Sequence, residues 1–177
     1  QTVLVQDGRI VAVGAVDATP TDGYAVIDGQ GRWLMPGLAE MHAHVPPQPD
    51  AVQATRDVLL LYLASGITFA RSMLGAPHHL ALREQIARGD LIAPRILASG
   101  PSLNGNSVTS PEAGRALVAA QHAAGYDFLK IHPGLDAARF EAVADAARRL
   151  GMPFAGHVGE AVGVRAALAA GQATIDH

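Results

Sequence analysis

Up to residue 34 the apolar and polar positions form only short alternating runs; beyond it such runs are separated by longer stretches with helical spacing. Alternation marks a strand with two distinct faces, and a recurrence every three to four residues marks an amphipathic helix. Residues 1–34 therefore read as β-hairpins. Residues 2–5 and 10–13 flank Asp7-Gly8, a dipeptide suited to tight hairpin turns. A second pair, 25–27 and 32–34, flanks Asp28-Gly29-Gln30-Gly31. Four short strands without a helix cannot cover both of their faces, so this piece is expected to be part of a small β-sandwich that needs a partner segment.

After residue 35 strands and helices alternate. The expected strands are 35–45, 67–73, 95–99, 128–132, 154–158 and 173–177; the expected helices are 51–64, 79–88, 110–124, 137–150 and 161–170. Glycines 66, 89, 125, 151 and 171 close the helices, Ser110-Pro111 opens the third, and Asp136 caps the fourth. Six strands and five helices in strict alternation imply a parallel sheet with helices outside it. The domain expectation is 1–34 as part of a sandwich and 35–177 as an α/β unit, either a doubly wound sheet or a (β/α)8 barrel.

Composition narrows the function classes. Apolar residues make up 49% of the chain and charged residues 16%, which suits a well-buried globular protein. The net charge of −3 and the absence of any Lys/Arg run argue against nucleic acid as a partner. With no Cys, metal ligation falls to His, carboxylates and Lys. The run 58–64 is too short to span a bilayer, so no membrane span is expected. The chain starts at Gln1 and stops at His177, each inside an apparent strand, and is expected to be a fragment. Compartment and oligomeric state are left open, a homo-oligomer included.

The candidate chemistry falls at strand ends. Glu40, His42 and His44 are spaced by two and leave one strand face together, and two imidazoles so placed can grip one metal ion. Lys130 and His132 end the fourth strand of the α/β region, His157 the fifth and His177 the sixth. A lone histidine at a strand end is usually structural, but this set recurs at four ends. Lys130 lies within an apolar strand, where an isolated ammonium is costly to bury. Parallel α/β folds carry function at the carboxyl ends of their strands, and only a barrel brings four such ends to one point. The barrel is therefore expected.

The ordered set resembles the amidohydrolase superfamily, in particular its imidazolonepropionase-like and prolidase-like members with a carboxylated Lys. The likeness rests on Pro36-Gly37, the Glu40-x-His42-x-His44 entry, Lys130, His157 and His177, and it covers essentially the whole chain. It implies a (β/α)8 TIM-like barrel, of which strands 1–6 are present here, beside part of a β-sandwich. It further implies two divalent metal ions, with zinc expected. His42 and His44 would hold the first and His157 with His177 the second, while a CO2-derived carbamate on Lys130 would bridge both. A desolvated neutral amine can add carbon dioxide, and a metal-bridging hydroxide would then attack an amide-type C–N bond. The substrates implied are small molecules: dipeptides, N-acyl amino acids or cyclic amides. The pattern also requires an Asp ending strand 8, which this chain does not contain, so the piece alone is expected to be inactive. Asp176 is expected to face away from the ligands.

Lesser candidates for substrate contact are His132, Arg71, and Asn104 and Asn106 in the loop 100–107. Met73 is expected to pack in the core, Glu40 to support the histidine pair from behind, and His78, His79 and His122 to face solvent. Two alternatives remain. In a mononuclear deaminase, Glu160 would shuttle protons, its simpler role being to begin the next helix. In a non-catalytic scaffold, the ligands would survive without turnover.

Overall fold

A computed structural model of the chain describes residues 1–176. It separates into two compact units that meet between Pro36 and Gly37. In the first, strands β1 (Thr2–Gln6) and β2 (Arg9–Gly14) pair antiparallel, with Gln6 opposite Arg9. Asp7 and Gly8 both take positive φ (51° and 72°), the twist that lets a two-residue loop join strands without splaying them. The second expected hairpin forms only its turn. Arg32 N–H donates to Gly29 O at 2.9 Å, and Gln30 and Gly31 take φ of 49° and 75°. No ladder follows among the described residues, and Ile27 and Trp33 are 92% and 97% exposed. A turn is held by local bonds, whereas an isolated two-stranded ladder is marginal without a packed face.

The second unit alternates strictly: β3 (Leu38–Ala43), α1 (Val52–Ala64), β4 (Ile67–Ser72), α2 (His79–Arg88), β5 (Arg95–Ala98), α3 (Pro111–Ala124), β6 (Leu129–Ile131), α4 (Ala137–Arg149), β7 (Phe154–Gly156) and α5 (Val164–Ala169). The pairs β3–β4, β4–β5 and β6–β7 are all parallel. A parallel bridge from Ser99 to Phe128 continues the order from β5 to β6. The expected last strand is reduced to one bridge, Ile175 to Gly156, supported by Ala173 N–H on Phe154 O at 2.8 Å and Asp176 N–H on Gly156 O at 3.0 Å. Each strand thus lies beside its neighbour in sequence. A doubly wound sheet would reverse this order part-way; here no reversal occurs among the described residues.

Local chemistry sets the helix bounds. Ser110 Oγ accepts from Ala113 N–H at 3.2 Å with Pro111 in the first turn, and Gly125 closes α3 at φ 85°. Asp136 Oδ1 accepts from Arg139 N–H at 2.8 Å to open α4. The last helix begins at Val164 and not at 161. Val162 and Gly163 N–H both bond Gly159 O in a separate turn, and Gly163 (φ 76°, ψ 150°) lies outside helical space.

Burial follows the two-residue period. Leu129, Ile131 and Phe154 turn outward into a core with Val118, Phe140 and Val143, while Lys130 turns the other way. A smaller core joins Ala43, Val45, Leu59, Ala70 and Ile96. Among the described residues no helix is long and apolar enough to cross a membrane.

Candidate active site

A cavity of about 590 Å³ opens at the carboxyl ends of β3, β6 and β7, lined by His42, His44, Lys130, His132 and His157 and by the loop after β5. The strand period delivers His42 and His44 to one side, with ring centroids 5.2 Å apart. Glu40 Oε1 accepts from His42 N–H at 2.8 Å and so holds the backbone of the strand end. His132 and His157 meet edge to face at 4.6 Å across β6 and β7.

Lys130 is only 2% exposed, and its Nζ has no hydrogen-bond partner among the described residues. Burial lowers its pKa below the ordinary lysine range; Asp176 opposes the shift and Arg71 adds to it. An amine so placed is biased toward the neutral form. Asp176 does not face away as expected. Its Oδ2 stands 3.3 Å from His42 Nδ1, and its Oδ1 accepts from Thr174 Oγ1 at 3.0 Å and from Arg71 Nη2 at 3.3 Å. Alternation predicts facing only along a continuous ladder, and residues 173–176 make a single bridge. Arg71, expected on the pocket wall, is absent from it. Its guanidinium donates to Met41 O at 2.7 Å and to Thr174 Oγ1 at 3.0 Å, and lies 5.7 Å over the Phe128 ring.

A sequence model of the amidohydrolase family matches residues 33–177. The chain belongs to the amidohydrolase family. Among solved structures, one similar to this amidohydrolase chain is a protein from Bifidobacterium longum provisionally assigned as a prolidase. It is 31% identical over 99% of this chain and 48% of that one, with a TM-score of 0.82. A bottromycin amidohydrolase is 26% identical over 78% of this chain and 32% of its own, at TM-score 0.67. A prolidase solved with N-methylphosphonate-L-proline shares the fold at TM-score 0.82, with 23% identity over 99% of this chain and 55% of that one. This chain thus spans about half the length, or less, of each of these proteins. No curated protein sequence gives a match.

Of the metal ligands expected in this amidohydrolase, His42, His44, Lys130 and His157 share the cavity wall; His177 lies outside the described residues. Among the described residues no three His, Asp or Glu side chains stand close enough to hold a metal ion. The donor set nevertheless suits one: imidazoles and a buried, unpartnered amine on one wall are ligand types for a divalent cation.

The loop asparagines divide. Asn104 Oδ1 accepts from the N–H groups of Asn106 (2.9 Å) and Ser107 (3.0 Å), and its Nδ2 donates to Ser102 Oγ at 3.1 Å. Asn106 lines the cavity, and its side-chain amide makes no hydrogen bond to the described residues. Met73 both packs against Phe128 and Ala155 and reaches the cavity. Glu160 is exposed and lines a separate depression with Asp136 and Arg139.

Three histidines were expected in solvent, and His79 departs most. It is buried, with Nε2 3.0 Å from Pro46 O in the loop that follows His44, and burial lowers its pKa. His78 is half-buried and His122 exposed. The dipeptide His78-His79 gave no signal of this, because the partner is a backbone carbonyl distant in sequence.

Proposed function

We propose that this chain carries the larger part of the active site of a metal-dependent amidohydrolase. Its reaction is hydrolysis of an amide-type C–N bond in a dipeptide, an N-acyl amino acid or a cyclic amide. The carrying observation is one cavity, at the carboxyl ends of sequentially ordered parallel strands, that gathers His42, His44 and His157 around the buried amine of Lys130. We infer the architecture to be a (β/α)8 barrel beside a sandwich formed in part by residues 1–34. Family membership and the likeness to the Bifidobacterium longum protein support the reading.

His42 and His44 would hold one divalent ion, His157 and His177 a second, and Lys130, as a carbamate, would join them. When bound, such ions, zinc by expectation, supply Lewis acidity and lower the pKa of water. The chain's own residues prepare the place. The Asp176 carboxylate stands beside Nδ1 of His42, where a carboxylate can orient a ligand imidazole. Desolvation biases the Lys130 amine toward the neutral form that adds carbon dioxide. His132, made less basic than usual chiefly by desolvation, is placed to hydrogen-bond substrate in its neutral form.

The test is metal analysis and hydrolysis of Xaa-Pro dipeptides, N-acyl amino acids and cyclic amides by the protein that contains this chain, with Lys130→Ala alongside. About two ions per chain is expected from a two-metal centre, with both bridging and turnover lost in the variant. Unchanged metal content in the variant would sink the carbamate assignment. One ion would favour a deaminase, and none a scaffold.

A further inference from the structure

Two loops of the cavity wall are fused at backbone level. Gly105, in the loop between β5 and α3, donates its N–H to Pro133 O at 3.2 Å, in the loop between β6 and α4. A Cβ on Gly105 would stand 2.5 Å from Gly134 O, and one on Gly134, at φ 101°, would stand 3.0 Å from the Gly105 backbone. Neither contact leaves room for a side chain. Leu103 continues the join: its N–H donates to Lys130 O at 2.8 Å, and its carbonyl accepts from His132 N–H at 2.9 Å.

One side chain clamps the pair from behind. Arg139, in the first turn of α4, donates through Nη1 to Val108 O at 2.9 Å and Gly105 O at 3.3 Å. Its Nη2 donates to Gly134 O at 3.1 Å, and its Nε donates to Asp136 Oδ2 at 3.0 Å. The planar fork of a guanidinium satisfies these diverging acceptors together, which a point-charge ammonium cannot. Inside the loop Asn104 is consumed by its own turn, so Asn106 is the asparagine whose amide stays available at the cavity.

We propose that Arg139 is a positioning residue that locks the loop 103–108 onto Pro133-Gly134 and thereby fixes Asn106 as an amide contact to a substrate carbonyl or carboxylate oxygen. The proposal rests on the preceding reading only in taking the cavity to receive substrate. Such a clamp acts on substrate affinity and not on metal loading, because none of its bonds touches a ligand side chain.

The experiment combines hydrogen exchange with steady-state kinetics on the intact holoprotein and its Arg139→Lys and Asn106→Ala variants. Arg139→Lys is expected to speed exchange about tenfold in peptides covering 103–108 and 132–135, while β3, β4 and α3 keep wild-type protection. Both variants should raise KM about tenfold on a hydrolysed dipeptide or N-acyl amino acid with kcat within about twofold, and with metal content unchanged. Only Arg139→Lys should alter exchange. Unchanged exchange in the two loops, or acceleration spread evenly over the unit, would overturn the clamp. An unchanged KM in Asn106→Ala would overturn the contact. If wild type turns over none of the substrates, the hydrolase reading and the Asn106 contact both fall, and exchange alone still decides the clamp.

Discussion

Lys130 stands between Leu129 and Ile131 in a three-residue strand, and the two-residue period that seats those neighbours in the core turns its amine toward the cavity. A buried donor without a partner opposes folding by about 1–3 kcal/mol. Lys130→Met, close in volume and without the donor, is expected to stabilise the metal-free protein by about that amount in urea unfolding. A fall in stability instead would show that the amine has a partner. His79 gives a pH prediction. Its folded pKa lies below the ordinary 6.5, so the unfolded chain takes up a proton that the folded one resists. This contribution is complete above 6.5 and is lost as pH falls from there through the folded value. His79→Gln should flatten the pH dependence of unfolding in that acidic window, and an unchanged slope would count against burial as the cause. Lys130 was legible because charge inside an apolar strand is anomalous on its face. His79 was not, because its burial depends on where the loop at Pro46 comes to rest.

Elements were legible where their signals are local. The bounds of α2 and α3 follow from Gly89, Ser110-Pro111 and Gly125, whose capping geometry needs only adjacent residues. Removing one such signal has a defined cost: Ser110→Ala should lower stability by about 1 kcal/mol in denaturant titration. The start of α5 is not legible in the same way, because the run at Ala161-Val162 has helical spacing, while the turn on Gly159 and the extended ψ of Gly163 break it. The second hairpin failed for a related reason. Gln30 and Gly31 build the turn that their residue types favour, but a ladder needs a surface to pack on, which no local pattern reveals. The facing of Asp176 was lost with the strand meant to carry it.

On the scale of the whole molecule, Trp33 is the chain's single tryptophan and is 97% exposed. Its fluorescence should be that of a water-exposed indole, freely quenched by acrylamide; shielded, blue-shifted emission would show that the segment around it is covered. The α/β unit carries the opposite lesson, since its alternation was written plainly in the chain and its strand order follows. That order also governs how the protein is made. Among the described residues every parallel pairing joins a strand to the one before it, so each such strand leaving the ribosome finds that partner already synthesised. At about 5–20 residues per second, one strand–helix unit is added every few seconds, far longer than the roughly microsecond formation of a helix. The layer can therefore grow during translation one unit at a time, with each new edge strand exposed only until the next arrives.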